Sequence, residues 1–560
     1  MRKWLLILGL FCSLLTLQAQ DAKTKQALCD SLSVLLEERG GVRAKITLKR
    51  ILKRSGRTDW YFKENLGDYP FRQADIPWLQ KQLKALAPAP YDRYPIDRIY
   101  VGGQAIENLV CLPYTRDGKA GKSPYSLTKA PAAIPALVRK ESGEPYKEGL
   151  AGRHIAVWNS HGQYYNQVKQ CWLWQRAPLF GTLEDVFSTS FVLPFLVPML
   201  ENAGAVVLSP RERDPQPREV VCDNDPAFSG PRSDGIRLHG RYTEKGWWSS
   251  AGEGFADARA AYQENDNPFR MGTARKAETC RSNDDPSQHS TAIWRPDIPE
   301  KGPYAVYVSY KTLPNITQAA RYTVRHLGGE TVVHVNQRMG GGTWVYLGTF
   351  LFGKGTDGCV MLSNISESAG VVTADAVRFG GGMGKQARGG APSGMPAYAE
   401  AALYSYIGAG MDCTLLKDWE DDYRKDISCR GIWVNEMRKR GVPVDLALAL
   451  HSDAGLTPND SIIGTLAIYT LQREGSDQLP DGSSRLAGRL LGELVQSQVV
   501  EDVRREFEPQ WTRRELLDRS YVRTHHSANG IYLQLHVRVL RVFHGVLGEL
   551  VGRKQRMVVP

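Results

Sequence analysis

The chain has 560 residues, too many for one hydrophobic core, so about three or four domains are expected. Its 71 Lys and Arg against 60 Asp and Glu leave a net charge of +11. No basic–aromatic cluster of the nucleic-acid-reading kind accompanies that charge, so it points to an anionic wall glycan or cell surface instead.

Residues 1–20, MRKWLLILGLFCSLLTLQAQ, have a basic start, a short apolar run and a small residue at Ala19. They read as a secretory signal peptide cleaved near Gln20, the apolar run being shorter than the ~20 residues a spanning helix needs. An exported chain, periplasmic or at the cell surface, follows, with no transmembrane segment after cleavage. Phe11 before Cys12 argues against a lipid anchor, and with Cys12 gone eight of the nine cysteines remain. None has CxxC spacing, which argues against a cysteine zinc site; the compartment permits disulfides, but a large domain does not need them.

Residues 21–150 read as a small α+β domain without recognisable chemistry: a helix near 22–38, strands in AKITLKRIL and TDWYF, helix DIPWLQKQLKAL and strand DRIYVGG. From 151 the pattern alternates between strand and helix, as in a doubly wound α/β sheet. The strand HIAVWN runs into His161, Glu184 stands just ahead of the apolar run Phe187–Leu200, and AVVLSPRERD (205–214) supplies the next strand and turn. The pattern stops near Pro215 and resumes near Pro396, leaving 151–217 as the first part of this domain.

Residues 218–382 have another texture. YAVYVSYK, ARYTVRHL, ETVVHVNQ, TWVYLGTFLF and CVMLSN alternate with period two and are separated by Gly-rich turns, the pattern of an inserted all-β sandwich. The GGG at 340–342 is a turn and not a phosphate loop, since no helix follows it. VNQ (335–337), GTWVYLGTF, ADAVRF (374–379) and CDND (222–225) make this stretch resemble the carbohydrate-binding-like domain shared by golvesin biosynthesis proteins and xanthan lyases. Trp247, Trp248, Trp294 and Trp344 are then candidates for stacking on sugar rings, against the alternative that they are core.

A Gly-rich linker (383–394) leads to the second α/β part, 395–520. It holds helix YAEAALYSYI, the stretch DWEDDYRKDISCRGIWVNEMRKRG, and the strand VDLALAL that ends in His451. In helix 485–507, Leu486, Leu490, Leu494 and Val503 with Leu491, Val495 and Val499 form one apolar stripe, read as core packing. The tail 521–560 is atypical. It carries one acidic residue, Glu549, and four of the 11 histidines, so it is either a working catalytic end or a frameshift product.

His161, Glu184 and His451 are two imidazoles and a carboxylate, a set that suits catalytic zinc with the fourth position open. His154 and His326 have no such partners and read as structural; His525 and His526 are possible extra ligands or an exposed pair. No G-x-S-x-G elbow occurs, which argues against a serine hydrolase. The order is a Gly-flanked histidine, a helix-opening glutamate, the turn PRERD and LHSDAG. With departures at SHGQ and at Ser452 and Asp453, it resembles the zinc-dependent N-acetylmuramoyl-L-alanine amidases over 151–214 and 395–520.

The resemblance implies an amidase-like sheet and Zn²⁺ on His161, Glu184 and His451. It implies cleavage of the amide between N-acetylmuramic acid and L-alanine in peptidoglycan, and a general base on a late strand, for which Glu549 in GVLGELVG is the candidate. The alternatives are a non-catalytic protein that binds cell-wall or other polysaccharide, or a xanthan-lyase-like polysaccharide-active protein.

Overall fold

The computed structural model describes residues 22–42, 44–110, 136–141, 149–178, 183–225, 237–452, 464–470, 478, 485–518 and 529–536. The chain divides into two compact units, one of 1–129, 455–522 and 529–560, the other of 130–454 and 523–528.

In the first unit a helix over 22–40 buries Leu28, Leu32 and Leu36, the i, i+4 row that its sequence sets on one face. Leu48–Arg54 and Arg57–Phe62 pair as a hairpin. Its turn residues Ser55 and Gly56 have φ of 47° and 77°, the left-handed pair that matches strand twist. Helix Asp75–Leu86 buries Leu79 and Leu83, and strand Ile96–Val101 then lies parallel to Arg57–Phe62. Gly464–Tyr469 is parallel to Arg513–Asp518 and antiparallel to Asn529–His536.

The helix Leu486–Glu506 departs from the expected leucine stripe. Its buried residues are Leu486, Gly488, Arg489, Gly492, Glu493, Gln496 and Val500, while Leu494 is exposed. The reason is hydrogen bonding. Arg489 donates to the carbonyls of Leu109, Gly67 and Tyr69, Glu493 takes Arg72 and Arg513, and Gln496 reaches the carbonyls of Thr465 and Arg514. Buried main-chain carbonyls need donors, and that need turns the polar face inward.

The second unit contains a parallel sheet in which His154–Asn159 lies between Val206–Leu208 and Val444–Ser452. Strands flanking the interruption are therefore neighbours. All six residues of His154–Asn159 are buried, as expected for a parallel strand covered on both faces. Ile155, Val157, Val192, Val197, Ala205 and Val207 form the core on one face. The helical stretch from Glu184 to Asn202 widens into a π-turn at Val192–Leu196, where Pro194 removes a main-chain donor.

The interruption folds as several β-sheets. One holds Glu219–Cys222, Val377–Phe379, Gly302–Val308 and Val345–Phe352 with Arg237–His239 at its edge; another holds Arg241–Lys245, Thr291–Arg295, Cys359–Ser363, Ala320–His326 and Gly329–Val335. Val138–Lys140, from before the α/β part, pairs with Gly329–Val335. Residues 340–342 lie in a turn, and Gly340 and Gly342 have φ near 70°.

Trp294 is fully buried with its indole N–H on the Asp375 carbonyl, so it is core and not a sugar platform. The seven described cysteines are free thiols. No helix among the described residues is long and apolar enough to cross a membrane. The architecture is mixed α/β, with several sheets that include parallel ones.

Candidate metal centre

The strands His154–Asn159 and Val444–Ser452 run in register, with Leu450 opposite Asn159, so their C-terminal ends deliver His161 and His451 to one sheet edge. Ligand sites of open α/β sheets lie at that edge. The chain reverses at Ser160, whose φ is 27°. At Gly162 a Cβ would strike the Glu400 carbonyl and the Ala401 nitrogen, so glycine after the histidine is a packing requirement. Glu184 opens its helix at the same place.

His161, Glu184 and His451 are 4 %, 7 % and 6 % exposed, and one ligand atom of each lies within 4.8 Å of the others. Glu184 Oε1 is 3.1 Å from His451 Nδ1 and 3.8 Å from His161 Nε2. Tetrahedral zinc with bonds of ~2.0–2.1 Å needs ligand atoms about 3.3 Å apart, so the donor set and its spacing fit that ion. Burial, then the guanidinium of Arg430, holds the His161 imidazole well below its ordinary pKa, and burial also lowers that of His451. Both rings are neutral at pH 7, the protonation state a metal ligand requires.

A ring of polar groups surrounds the three. Ser160 Oγ donates to Glu184 Oε1 at 2.7 Å and Arg176 Nε to Oε2 at 3.2 Å. Arg430 Nη2 lies 3.1 Å from His161 Nδ1 and is paired with Asp426, which also accepts from Gln175 at 2.6 Å. Arg211 donates to the carbonyls of Asn159 and His161, so the turn PRERD braces the first histidine loop through its own guanidinium. Burial pushes Asp185 up to about 7. Two arginines thus face the carboxylate and one imidazole of the triad, a feature of this chain to which the spacing of the ligands alone gave no clue.

The three expected ligands meet, across 267 residues between Glu184 and His451. Glu549, His525, His526 and Asp453 lie outside the described residues. His154 Nε2 accepts from the Leu137 N–H at 3.0 Å, and His326 is bonded to Thr331 and the Gly328 N–H. The residues that sequence reasoning missed are Ser160, Arg176, Asp426 and Arg430. Only Asp426 and Arg430 left a signal: an i, i+4 ion pair set among Ser428, Cys429 and Gly431, small residues that a solvated helix face does not require.

Residues 241–381 match the model of the Golvesin C-terminal domain family. A xanthan lyase of Bacillus sp. (strain GL1) is 36 % identical over 91 residues, 16 % of this chain and 10 % of the relative. The chain therefore spans a tenth of the length of that relative. Among solved structures, a Paenibacillus xanthan lyase aligns over 29 % of this chain and 13 % of its own, with a TM-score of 0.21 and 22 % identity. The C-terminal CBM6 of LamC, a marine laminarinase from Zobellia galactanivorans, aligns over 25 % of this chain and 98 % of its own, with a TM-score of 0.15 and 14 % identity. The chain thus carries a Golvesin C-terminal-type domain between the strands that present a buried His–Glu–His centre.

Proposed function

We propose that this protein is an exported, cell-wall-directed zinc hydrolase that cleaves the amide between N-acetylmuramic acid and L-alanine in peptidoglycan, with its β-sheet domain holding the glycan. The observation that carries the reading is the convergence of His161, Glu184 and His451, from three distant segments, at spacings that suit a tetrahedral ion. Zinc held there would supply a Lewis acid that polarises a carbonyl and lowers the pKa of a coordinated water toward ~7. Ser160 and Arg176 would hold the Glu184 carboxylate in place, and Arg211 would hold the His161 loop. Burial of the triad would keep bulk water from competing with the substrate amide.

A second reading, a protein that binds polysaccharide without cutting it, is favoured by the family match to the β-sheet domain and by the xanthan lyase relative. It is also favoured by Arg176 and Arg430, whose charges satisfy the triad without an ion. Metal analysis with muropeptide digestion separates the two. The first reading expects one zinc per chain, lost in His161→Ala and His451→Ala together with release of stem peptides. Retention of wall polymer or xanthan with no zinc and no released peptide would establish the second.

A further inference from the structure

The unit that holds the metal centre also holds a cavity of about 150 Å³. It lies where the inserted β-sheet domain meets the α/β part. Trp344 and Tyr346 line it from the β side, Ser405 and Gly408 from the helix Ala402–Gly408, and Gln386 from the connecting segment. At ~30 Å³ of liquid volume per water, it has room for about five waters, roughly the size of one sugar ring.

The wall chemistry narrows what fits. Its charged side chains are engaged within the protein: Glu219 sits 2.7 Å from Lys385, Glu212 2.8 Å from Arg378 and Arg213 2.8 Å from Glu201, while Arg211 donates to the carbonyls of Asn159, His161 and Tyr398. An ion therefore gains little there. Gln386 is different, being 1 % exposed with no hydrogen-bond partner for either its amide oxygen or its amide nitrogen. A buried amide left in that state is costly, and such groups call for a ligand or water. Burial pushes Glu400, also in the wall, up to about 8, so at pH 7 it is an uncharged donor. Trp344 is half-buried and contacts Phe255 and Arg378, which fixes its ring.

We propose that this cavity is a subsite for one neutral sugar ring of a glycan, with the Gln386 amide on its hydroxyls and the Trp344 indole on its apolar face. The inference rests on the glycan-directed reading given above. It deepens that reading by placing a ring against Arg211, which lines the cavity and also donates to the His161 carbonyl. The sugar and the metal loop then share one side chain.

The test uses the full chain, with N-acetylglucosamine, glucose and mannose as free probes in saturation-transfer NMR and calorimetry, and with insoluble peptidoglycan and xanthan in pull-down. Two variants address the cavity. Gly408→Met fills it: a Cβ there lies 3.8 Å from Gln386 Nε2, an ordinary contact. Gln386→Leu removes the amide. At least one sugar is expected to bind the wild type and to lose tenfold or more in affinity in both variants, with Tm of Gln386→Leu equal to or above that of the wild type. Polymer retained equally by all three proteins, with no free sugar bound or no loss in the variants, overturns the cavity and leaves the glycan reading standing. A wild type that retains neither sugar nor polymer overturns both. A fall in Tm for Gln386→Leu also overturns the proposal, because the amide then has a structural partner.

Discussion

Arg430 Nη2 stands 3.1 Å from His161 Nδ1. A guanidinium only donates, so Nδ1 is the accepting nitrogen and the ring proton of the neutral imidazole sits on Nε2. That is the nitrogen 3.8 Å from Glu184 Oε1, where an ion would need a lone pair. Metal binding at Nε2 therefore requires Arg430 to withdraw. Arg430→Met is expected to raise zinc affinity by roughly tenfold, measured by competition with a chromogenic chelator. It is also expected to lower stability, because Asp426 loses a buried partner. A weaker zinc site in the variant would instead assign Arg430 the task of orienting the ring.

Ser160 should act in the opposite direction. Its hydroxyl holds Glu184 Oε1 at 2.7 Å, and outer-shell groups of this kind are worth ~10–100-fold in metal affinity. Ser160→Ala is expected to lose zinc affinity in that range, whereas Glu184→Gln should abolish binding. Equal affinities for Ser160→Ala and the wild type in the same chelator assay would remove the hydroxyl from the site.

The three residues of the candidate centre were legible because each histidine follows an apolar strand whose direction is fixed by the sheet and Glu184 precedes an apolar helical run. A histidine after HIAVWN and another after VDLALAL must emerge at the same edge once the strands are parallel. Arg176 was not legible, and Arg430 was legible only as the i, i+4 partner of Asp426 and not as a neighbour of His161. Their roles depend on which way a hairpin and a helix face turn, and no periodicity encodes that. Trp294 and Trp344 show the same limit. Both sit in or beside strands with alternating patterns, yet one is fully buried and the other is half-buried and lines a cavity.

Acid should weaken the fold through His154. The ring is 1 % exposed, and burial pulls its pKa down to about 4, against a smaller upward pull from Asp445. The unfolded chain takes up this proton near pH 6.5, so between about 6.5 and 4 the unfolded state binds more protons and stability falls as pH falls. The loss from this group is about 3 kcal/mol at most, and His161 and His451, also depressed, act in the same sense. His154→Gln can still accept from the Leu137 N–H but cannot titrate. Urea unfolding at pH 7 and pH 4.5 should show a smaller difference for this variant than for the wild type, and an unchanged difference would assign the acid sensitivity to other groups.

The helix Leu486–Glu506 gives the sharpest contrast between pattern and structure. By periodicity Leu494 belongs to the core stripe, yet it is 38 % exposed while Arg489 is fully buried. Arg489 serves the carbonyls of Gly67 and Tyr69 at 3.0 and 2.9 Å and that of Leu109 as well. Arg489→Met keeps the length and apolar stem of the side chain but removes every donor, stranding three buried acceptors. The expected cost is about 4 kcal/mol, on the scale of broken buried polar networks. Leu494→Gln should stay within ~0.5 kcal/mol of the wild type, as surface substitutions do. If the leucine stripe carried the packing, the order of the two costs would reverse. Urea denaturation of the full chain, followed by total tryptophan fluorescence, to which Trp511, buried with its indole N–H on Thr465, contributes, and by far-UV circular dichroism, reads that order.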